Sequence, residues 1–292
     1  MIIVRIFGGL GNQLFQYAAG RAVALNAGLP LKLDILGFAT DPRRKYRLNL
    51  FHVIEDAATQ EEVAAYLPPK QPTVKWVMSQ LQRRFLPLHL RPLIIERSLA
   101  FKPELFRVKH SAYLFGYWQS EQYFKGISDL IRQEFRLRPQ PSEQNCKILE
   151  QMANVQAVSL HVRRGDYATD RAITQIHGLA SQEYYQAAIQ KVAERVERPH
   201  FFVFSDEIAW AKENLPLPFP TTYVDHNGAD YDYEDLRLIS HCRYHILANS
   251  TFSWWGAWLA TYPEKFVIAP RHWFADPNSV PSSIYPPEWM VL

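Results

Sequence analysis

At 292 residues with 48% hydrophobic and 14% aromatic side chains, the chain can bury one large core or two smaller ones and is too apolar for a disordered or fibrous protein. A net charge of only +3 argues against bulk electrostatic binding of nucleic acid, and two cysteines, Cys146 and Cys242, are no disulfide framework and fit a reducing compartment. No apolar run reaches the roughly 18 to 20 residues of a membrane span, and Arg5 interrupts the short apolar start where a signal peptide would need a longer one, so a soluble, cytoplasmic protein is expected.

In chain order, Ile2 to Phe7 reads as a buried strand rich in β-branched residues, followed by the turn Gly8-Gly9-Leu10-Gly11. An Ala-rich helix is expected from Gln13 to Ala27, with Gly28 as its C-cap and a second strand over Leu29 to Ile35. Strand, glycine turn, helix and strand make a βαβ unit, which implies parallel strands. Residues 68 to 110 are Pro-rich and basic, with nine Lys and Arg against Glu96 and Glu104, and show no clean periodicity. A strand is expected over Tyr113 to Gln119 and a helix over Tyr123 to Phe135, before the linker Pro139-Gln140-Pro141.

Beyond the linker the alternation returns. Strands are expected over Ala157 to Val162, His200 to Phe204, Tyr244 to Ala248 and Phe266 to Ala269. Helices are expected over Ser181 to Glu197, Ile208 to Asn214, Tyr233 to Ser240 and Phe252 to Ala260. Polar clusters recur at the C-terminal ends of these strands, where open α/β sheets bind ligands.

Three of these clusters could carry chemistry. The glycine turn lets backbone approach a ligand, and the helix start near Asn12 offers N–H groups to an anion; Gly9, Gly11, Asn12 and Gln13 are its candidates. Read as a dinucleotide motif it is partial, because Leu14 stands where a third glycine belongs, although Asp34 lies where a ribose-binding acid would. A plain strand–helix turn explains the same residues. The second cluster is His161-Val162-Arg163-Arg164-Gly165-Asp166, directly after a strand. Two guanidiniums there can grip a diphosphate in bidentate fashion and offset the charge of a departing nucleoside diphosphate; a surface salt-bridge cluster is the alternative. The third is Asn249-Ser250-Thr251-Phe252, another strand-to-helix turn, whose hydroxyls and amides suit phosphate oxygens or simple capping. Asp206, after the strand ending at Phe204, suits either a base or ribose contact or a helix cap. For Trp254, Trp255 and Trp258 core packing is the better reading. His241 and His245 have metal-like spacing around Cys242 but lack a Glu partner, and the acids around Asp230-Tyr231-Asp232 lie in a loop, so no metal is expected.

Taken together, Gly8 to Tyr17, Gly116 to Glu121, His161 to Tyr167, Phe204 to Asp206, Asp235-Leu236 and Asn249 to Trp258 resemble, in order over nearly the whole chain, the bacterial α-1,2-fucosyltransferases of glycosyltransferase family 11. The resemblance implies a GT-B-like fold in which two Rossmann-like α/β domains face a central cleft. It implies an N-terminal domain over 1–140 on the acceptor side with the glycine loop, and a C-terminal domain over 141–292 binding the donor. It also implies inverting, metal-independent transfer from GDP-β-L-fucose to the 2-hydroxyl of a terminal galactose. Carried over by motif, Arg163 would hold the diphosphate, with His161 and Asp206 near the guanosine, Ser250, Thr251 and Phe252 along the phosphates, and the Gly9 to Gln13 loop approaching the donor from the other domain. A general base could be Asp166, His177, Asp34 or Glu121, and the sequence does not choose among them. Two other readings stay open at this stage: an NAD-dependent oxidoreductase built on the glycine turn and Asp34, and a non-catalytic carbohydrate binder built on the aromatics. The basic stretch is expected to be solvated surface or a peripheral contact with a membrane that carries a lipid-linked acceptor.

Overall fold

The protein is described by a computed structural model covering residues 1–67, 86–276 and 283–292, with only the backbone described for Asp166, Thr169, Ala172 and Ile173. Of the basic stretch, Lys70, Lys75, Arg83 and Arg84 lie outside the described residues. The chain divides into two compact units, Met1–Arg138 and Pro139–Leu292.

The first unit contains β1 (Ile2–Arg5), α1 (Leu10–Ala27), β2 (Leu31–Asp34), α2 (Gln60–Ala64), β3 (Leu93–Ile95), β4 (Ala112–Phe115) and α3 (Ser128–Glu134). Its four strands form a parallel sheet in the order β2-β1-β4-β3. Ile2, Ile3 and Val4 are buried because β1 is central and covered on both faces. Helix α1 begins at Leu10, a turn earlier than the composition suggests, because Gly9 takes an extended N-cap conformation; Gly28 closes it in the left-handed region at φ 66°.

The strands expected over Ile2 to Phe7 and Leu29 to Ile35 are trimmed by a residue or two at their ends, and two further elements of this unit are much shorter than the pattern suggests. The strand expected over Tyr113 to Gln119 stops at Phe115, since the Glu96 carboxylate accepts the backbone N–H groups of Tyr117 and Trp118 and so bends them out of the ladder. The helix expected over Tyr123 to Phe135 is α-helical only in α3, with single 3₁₀ turns at Glu121–Tyr123 and Lys125–Ile127. Gly126, a poor helix former, stands at that break.

The second unit runs α4 (Glu143–Ala153), β5 (Gln156–Val162), α5 (Gly165–Thr169), α6 (Arg171–His177), α7 (Gln182–Arg195), β6 (Pro199–Ser205), α8 (Ile208–Asn214), β7 (Thr221–Val224), α9 (Asp232–Ser240), β8 (Tyr244–Ile246), α10 (Thr251–Leu259), β9 (Phe266–Ala269) and β10 (Met290–Val291). Its six-stranded parallel sheet has the order β10-β9-β8-β5-β6-β7. The chain fills one side with β5 to β7, then returns to lay β8 against the other flank of β5. The direction of winding therefore reverses between β5 and β8, and open α/β sheets bind ligands at such a switch point.

Both faces of this sheet are covered. Val158, Leu160, Phe201, Val203, Ile246 and Ile268 pack with α7 on one side. Ala157, Phe202, Phe204, Val224, Leu238 and Ile239 pack with α4 and α9 on the other. Two-sided burial makes the strands read as continuous apolar runs rather than alternating ones. Strand β7 escapes a sequence pattern because Pro216, Pro218 and Pro220 crowd its approach. Helices α9 and α10 meet closely at Gly256, where a Cβ would lie 2.3 Å from Ile239 Cγ2. Gly256→Ala should therefore lower the stability of the second unit by about 1–3 kcal/mol through overpacking. Denaturant unfolding checks this, and an unchanged midpoint would show that the helix pair relaxes freely.

Candidate functional site

The switch point brings together the ends of β5, β6 and β8. Strand β5 delivers His161 and then the turn Arg163-Arg164-Gly165, and β6 delivers Asp206 beside it. The Asp206 carboxylate pairs with the Arg163 guanidinium at 2.7 Å and accepts the Arg164 backbone N–H at 2.9 Å. Gly165 is required at this contact, because a Cβ there would stand 2.5 Å from Asp206 Oδ2. Asp206, expected near a guanosine, also anchors the arginine turn.

The two arginines take different roles. Arg163 lies with its guanidinium carbon 5.2 Å from the centre of the Tyr167 ring, so an ion pair on one side and an aromatic face on the other hold it. Arg164 turns to α8, pairing with Glu207 at 3.0 Å and lying 3.9 Å over the Trp210 ring. Its position suits bracing the turn better than touching a ligand.

From Tyr167 the packing continues to His177, whose ring stacks on Tyr167 at 4.7 Å with a 14° interplanar angle and approaches Phe274 at 5.6 Å. The Asn249 side-chain amide donates to the His177 carbonyl at 2.9 Å, so the turn after β8 is tied to the end of α6. Asn249 Oδ1 and His161 Nδ1 are both buried with no hydrogen-bond partner among the described residues. Orphaned polar atoms of this kind mark a place that a ligand or ordered water completes. His161 sits 5.6 Å from the Phe252 ring, and burial followed by the nearby Arg163 charge lowers its pKa to about 3. It is therefore a neutral imidazole at physiological pH. Ser250 caps α10, its hydroxyl accepting the Phe252 N–H at 3.3 Å, and Thr251 opens that helix with no acid in its first turn. A positive helix end and a fixed arginine thus stand at one switch point, an arrangement that suits a diphosphate. The Asp166 side chain lies outside the described residues, while its backbone is in α5.

The remaining candidates belong to the first unit. Gln13 Nε2 donates to the carbonyls of Gly8 and Lys45, and its Oε1 accepts the Arg47 N–H, so this side chain shapes the glycine turn from within. Asn12 accepts from Gln119 at 3.0 Å. Gly9 caps α1, and Gly11 is buried in its first turn. Asp34 accepts from the Tyr113 hydroxyl and the Leu36 N–H and is buried, which removes the ribose contact that the dinucleotide reading needs and also its part as a general base. Glu121 lies on a 3₁₀ turn of this unit. His245, with its metal-like spacing, is buried and bonded to Ser159 at 2.8 Å; among the described residues no three His, Cys, Asp or Glu side chains converge as a metal set. No described helix is long and apolar enough to cross a membrane.

The sequence alone assigns no role to Tyr167, although it closes the His161 to Tyr167 motif, nor to Phe274, Glu207 or Trp210. The i, i+4 spacing of Arg163 and Tyr167 is the one local signal that could have found any of them.

Comparison with known proteins identifies the family and the fold. A family model described as Glycosyl transferase family 11 matches residues 65–292. An Escherichia coli "Alpha-1,2-colitosyltransferase" is 31% identical over 100% of this chain and 99% of its own. The human "Galactoside alpha-(1,2)-fucosyltransferase 1" is 26% identical over 98% of this chain and 73% of its own. The solved structure of "NodZ alpha-1,6-fucosyltransferase co-crystallized with GDP" superposes with a TM-score of 0.52 at 15% identity, covering 87% of this chain and 90% of that one. That likeness shows the fold: α/β, GT-B-like, with two Rossmann-like units, as expected from the sequence.

The buried His161 makes folding pH-dependent. Its folded pKa lies below the ordinary value of 6.5, so its contribution is intact above pH 6.5 and is lost as pH falls towards 3, where the unfolded chain takes up a proton the native one refuses. Relative to the wild type, His161→Gln should flatten the stability–pH curve between pH 6 and 4 by about 1.4 kcal/mol per pH unit. Parallel curves for the two proteins would contradict the buried neutral state.

Proposed function

The chain belongs to glycosyl transferase family 11, and on that premise we propose that it transfers L-fucose from GDP-β-L-fucose to the 2-hydroxyl of a terminal galactose, with inversion and without a metal ion. The observation that carries this reading is the fixed Arg163 at the β5/β8 switch point, held between Asp206 and Tyr167 and accompanied by the N-terminal end of α10. The acceptor 2-hydroxyl attacks the anomeric carbon as its bond to the β-phosphate oxygen breaks. GDP leaves with the bonding pair, and the hydroxyl proton passes to a base or to water. Arg163 and the amides and hydroxyls of Ser250 and Thr251 oppose the charge that grows on the diphosphate, which is the part a metal ion takes elsewhere. Preorganisation is what makes them effective, because the ion pair and the ring fix the guanidinium before substrate arrives.

His161, Asn249 and Phe252 complete the donor site in this reading, with the buried orphan atoms of the first two facing the nucleotide. Gly9, Gly11, Asn12 and Gln13 of the glycine turn are proposed as further donor-binding residues. Proton removal falls to Asp166 or His177, both on the short helices that follow the arginine turn. A peripheral contact of the basic stretch 68–110 with the cytoplasmic face of a membrane belongs to the same proposal; cosedimentation with anionic vesicles at low salt checks it, and a lack of binding removes it.

One relative supports a second donor. The full-length match to an enzyme named for colitose, which is fucose without its 3-hydroxyl, makes GDP-colitose the competing sugar nucleotide. Turnover of the two donors side by side on one galactoside, with the product linkage fixed by NMR, decides between them.

Arg163→Ala should cost about 10²–10⁴ in kcat while the fold survives, and Arg163→Lys should also be poor because one ammonium cannot reproduce the planar fork. More than about a tenth of wild-type rate in the alanine variant would sink this assignment. Activity should be unchanged by excess EDTA; a loss restored by added Mg²⁺ or Mn²⁺ would reverse the metal-free reading.

A further inference from the structure

One exposed feature of the first unit is not used by the donor site. Beyond β4 the chain makes a strained turn, Gly116-Tyr117-Trp118. Trp118 takes a positive φ of 55°, which costs a bulky residue about 1–3 kcal/mol unless its surroundings hold it. The surroundings do hold it. Glu96, on the segment after β3, accepts the N–H groups of Tyr117 at 2.6 Å and Trp118 at 3.1 Å, and burial raises its carboxyl above the usual range. Gly116 has no room for a side chain, since a Cβ would lie 2.4 Å from Glu96 Cβ. Trp118 itself is buried against Tyr123.

The product of all this restraint is a Tyr117 side chain left 41% exposed. Its ring lies 5.0 Å from Phe7, which in turn meets Phe115 at 5.6 Å, with the Arg5 guanidinium 4.8 Å over the Phe115 ring. Two residues on, Gln119 donates to Asn12, so the same turn is bonded to the first turn of α1 beside the glycine loop. A half-buried carboxylate, an obligatory glycine and a strained tryptophan therefore combine to fix one exposed aromatic ring at the C-terminal end of the β1–β4 pair. A purely structural tyrosine would be buried by such effort, not presented.

We propose that Tyr117, backed by Phe7, is the platform for the galactose ring of the acceptor. A β-galactoside suits it, because its axial 4-hydroxyl leaves C3–H, C4–H and C5–H together on one apolar face. Those hydrogens match the electron-rich face of an aromatic ring. This inference rests on the transferase reading above and deepens it by assigning acceptor specificity to the turn after β4.

The test pairs binding with turnover, using methyl β-galactoside and lactose as probes with and without GDP. In saturation-transfer NMR the wild type should saturate H3, H4 and H5 of galactose most strongly; Tyr117→Ala should abolish the effect, and Tyr117→Phe should keep it. In the transfer assay Tyr117→Ala should raise the acceptor KM by about tenfold or more and leave the KM for GDP-fucose and the rate of donor hydrolysis within about twofold. Thermal unfolding of the variant should match the wild type, as expected for an exposed ring. An unchanged galactose signal, or a change confined to the donor KM, overturns the platform. Galactose binding that depends on Tyr117 without any fucosyl transfer would instead keep the platform and overturn the donor assignment.

Discussion

The carboxylate of Asp206 is the constraint on which the candidate site depends. It stands at the end of β6 and reaches sideways to the turn after β5, pairing with the Arg163 side chain and accepting the Arg164 N–H against the flat side of Gly165. Without it the Arg163 guanidinium would be a long side chain with many rotamers, and ordering it would fall to the substrate. With it the guanidinium is placed by the sheet itself, because β5 and β6 pair in register over seven positions up to Val162 opposite Ser205. The rest of the site then extends by contact from Arg163 to Tyr167, from Tyr167 to His177, and from the His177 carbonyl to Asn249 on the far side of the switch point.

That chain of contacts fixes a guanidinium and a helix N-terminus at one end of a parallel sheet. Arg163 is one fixed charge, the α10 N-terminus adds a partial one, and the neighbouring His161 stays neutral because it is buried and close to the arginine. A site of this type stabilises negative charge that appears during reaction and does little for a neutral ligand. A sugar nucleotide already carries a charged diphosphate, and the same fixed cation opposes the further charge that grows on it as the bond to the sugar breaks.

The first unit follows the same economy with different chemistry. Its polar side chains are used mostly to hold backbone: Gln13 shapes the glycine turn and anchors the chain at Lys45 and Arg47, Glu96 holds the turn after β4, and Asp34 ties β2 to Tyr113 of β4. These braces leave the Tyr117 ring exposed, with the Arg5 guanidinium over the Phe115 ring close by.

The sequence by itself determined the class of fold and the positions of the polar turns. Glycine turns, β-branched runs and capping residues act locally, so His161 to Gly165 and Asn249 to Phe252 could be placed at strand ends from chain order alone. It also carried the family resemblance, since that rests on ordered motifs. It could not say what those side chains face. Asp206 was legible as a polar residue after a strand, but its partner lies forty-odd residues away on a neighbouring strand, and only the pairing of β5 with β6 brings them together. Asp34 looked like a ribose ligand until the β1–β4 pairing set Tyr113 against it. Tyr117 looked like part of a strand until Glu96, from a stretch with no periodicity, bent the chain. In each case the deciding contact joins residues distant in sequence, and strand order, which local propensity does not encode, is what sets it.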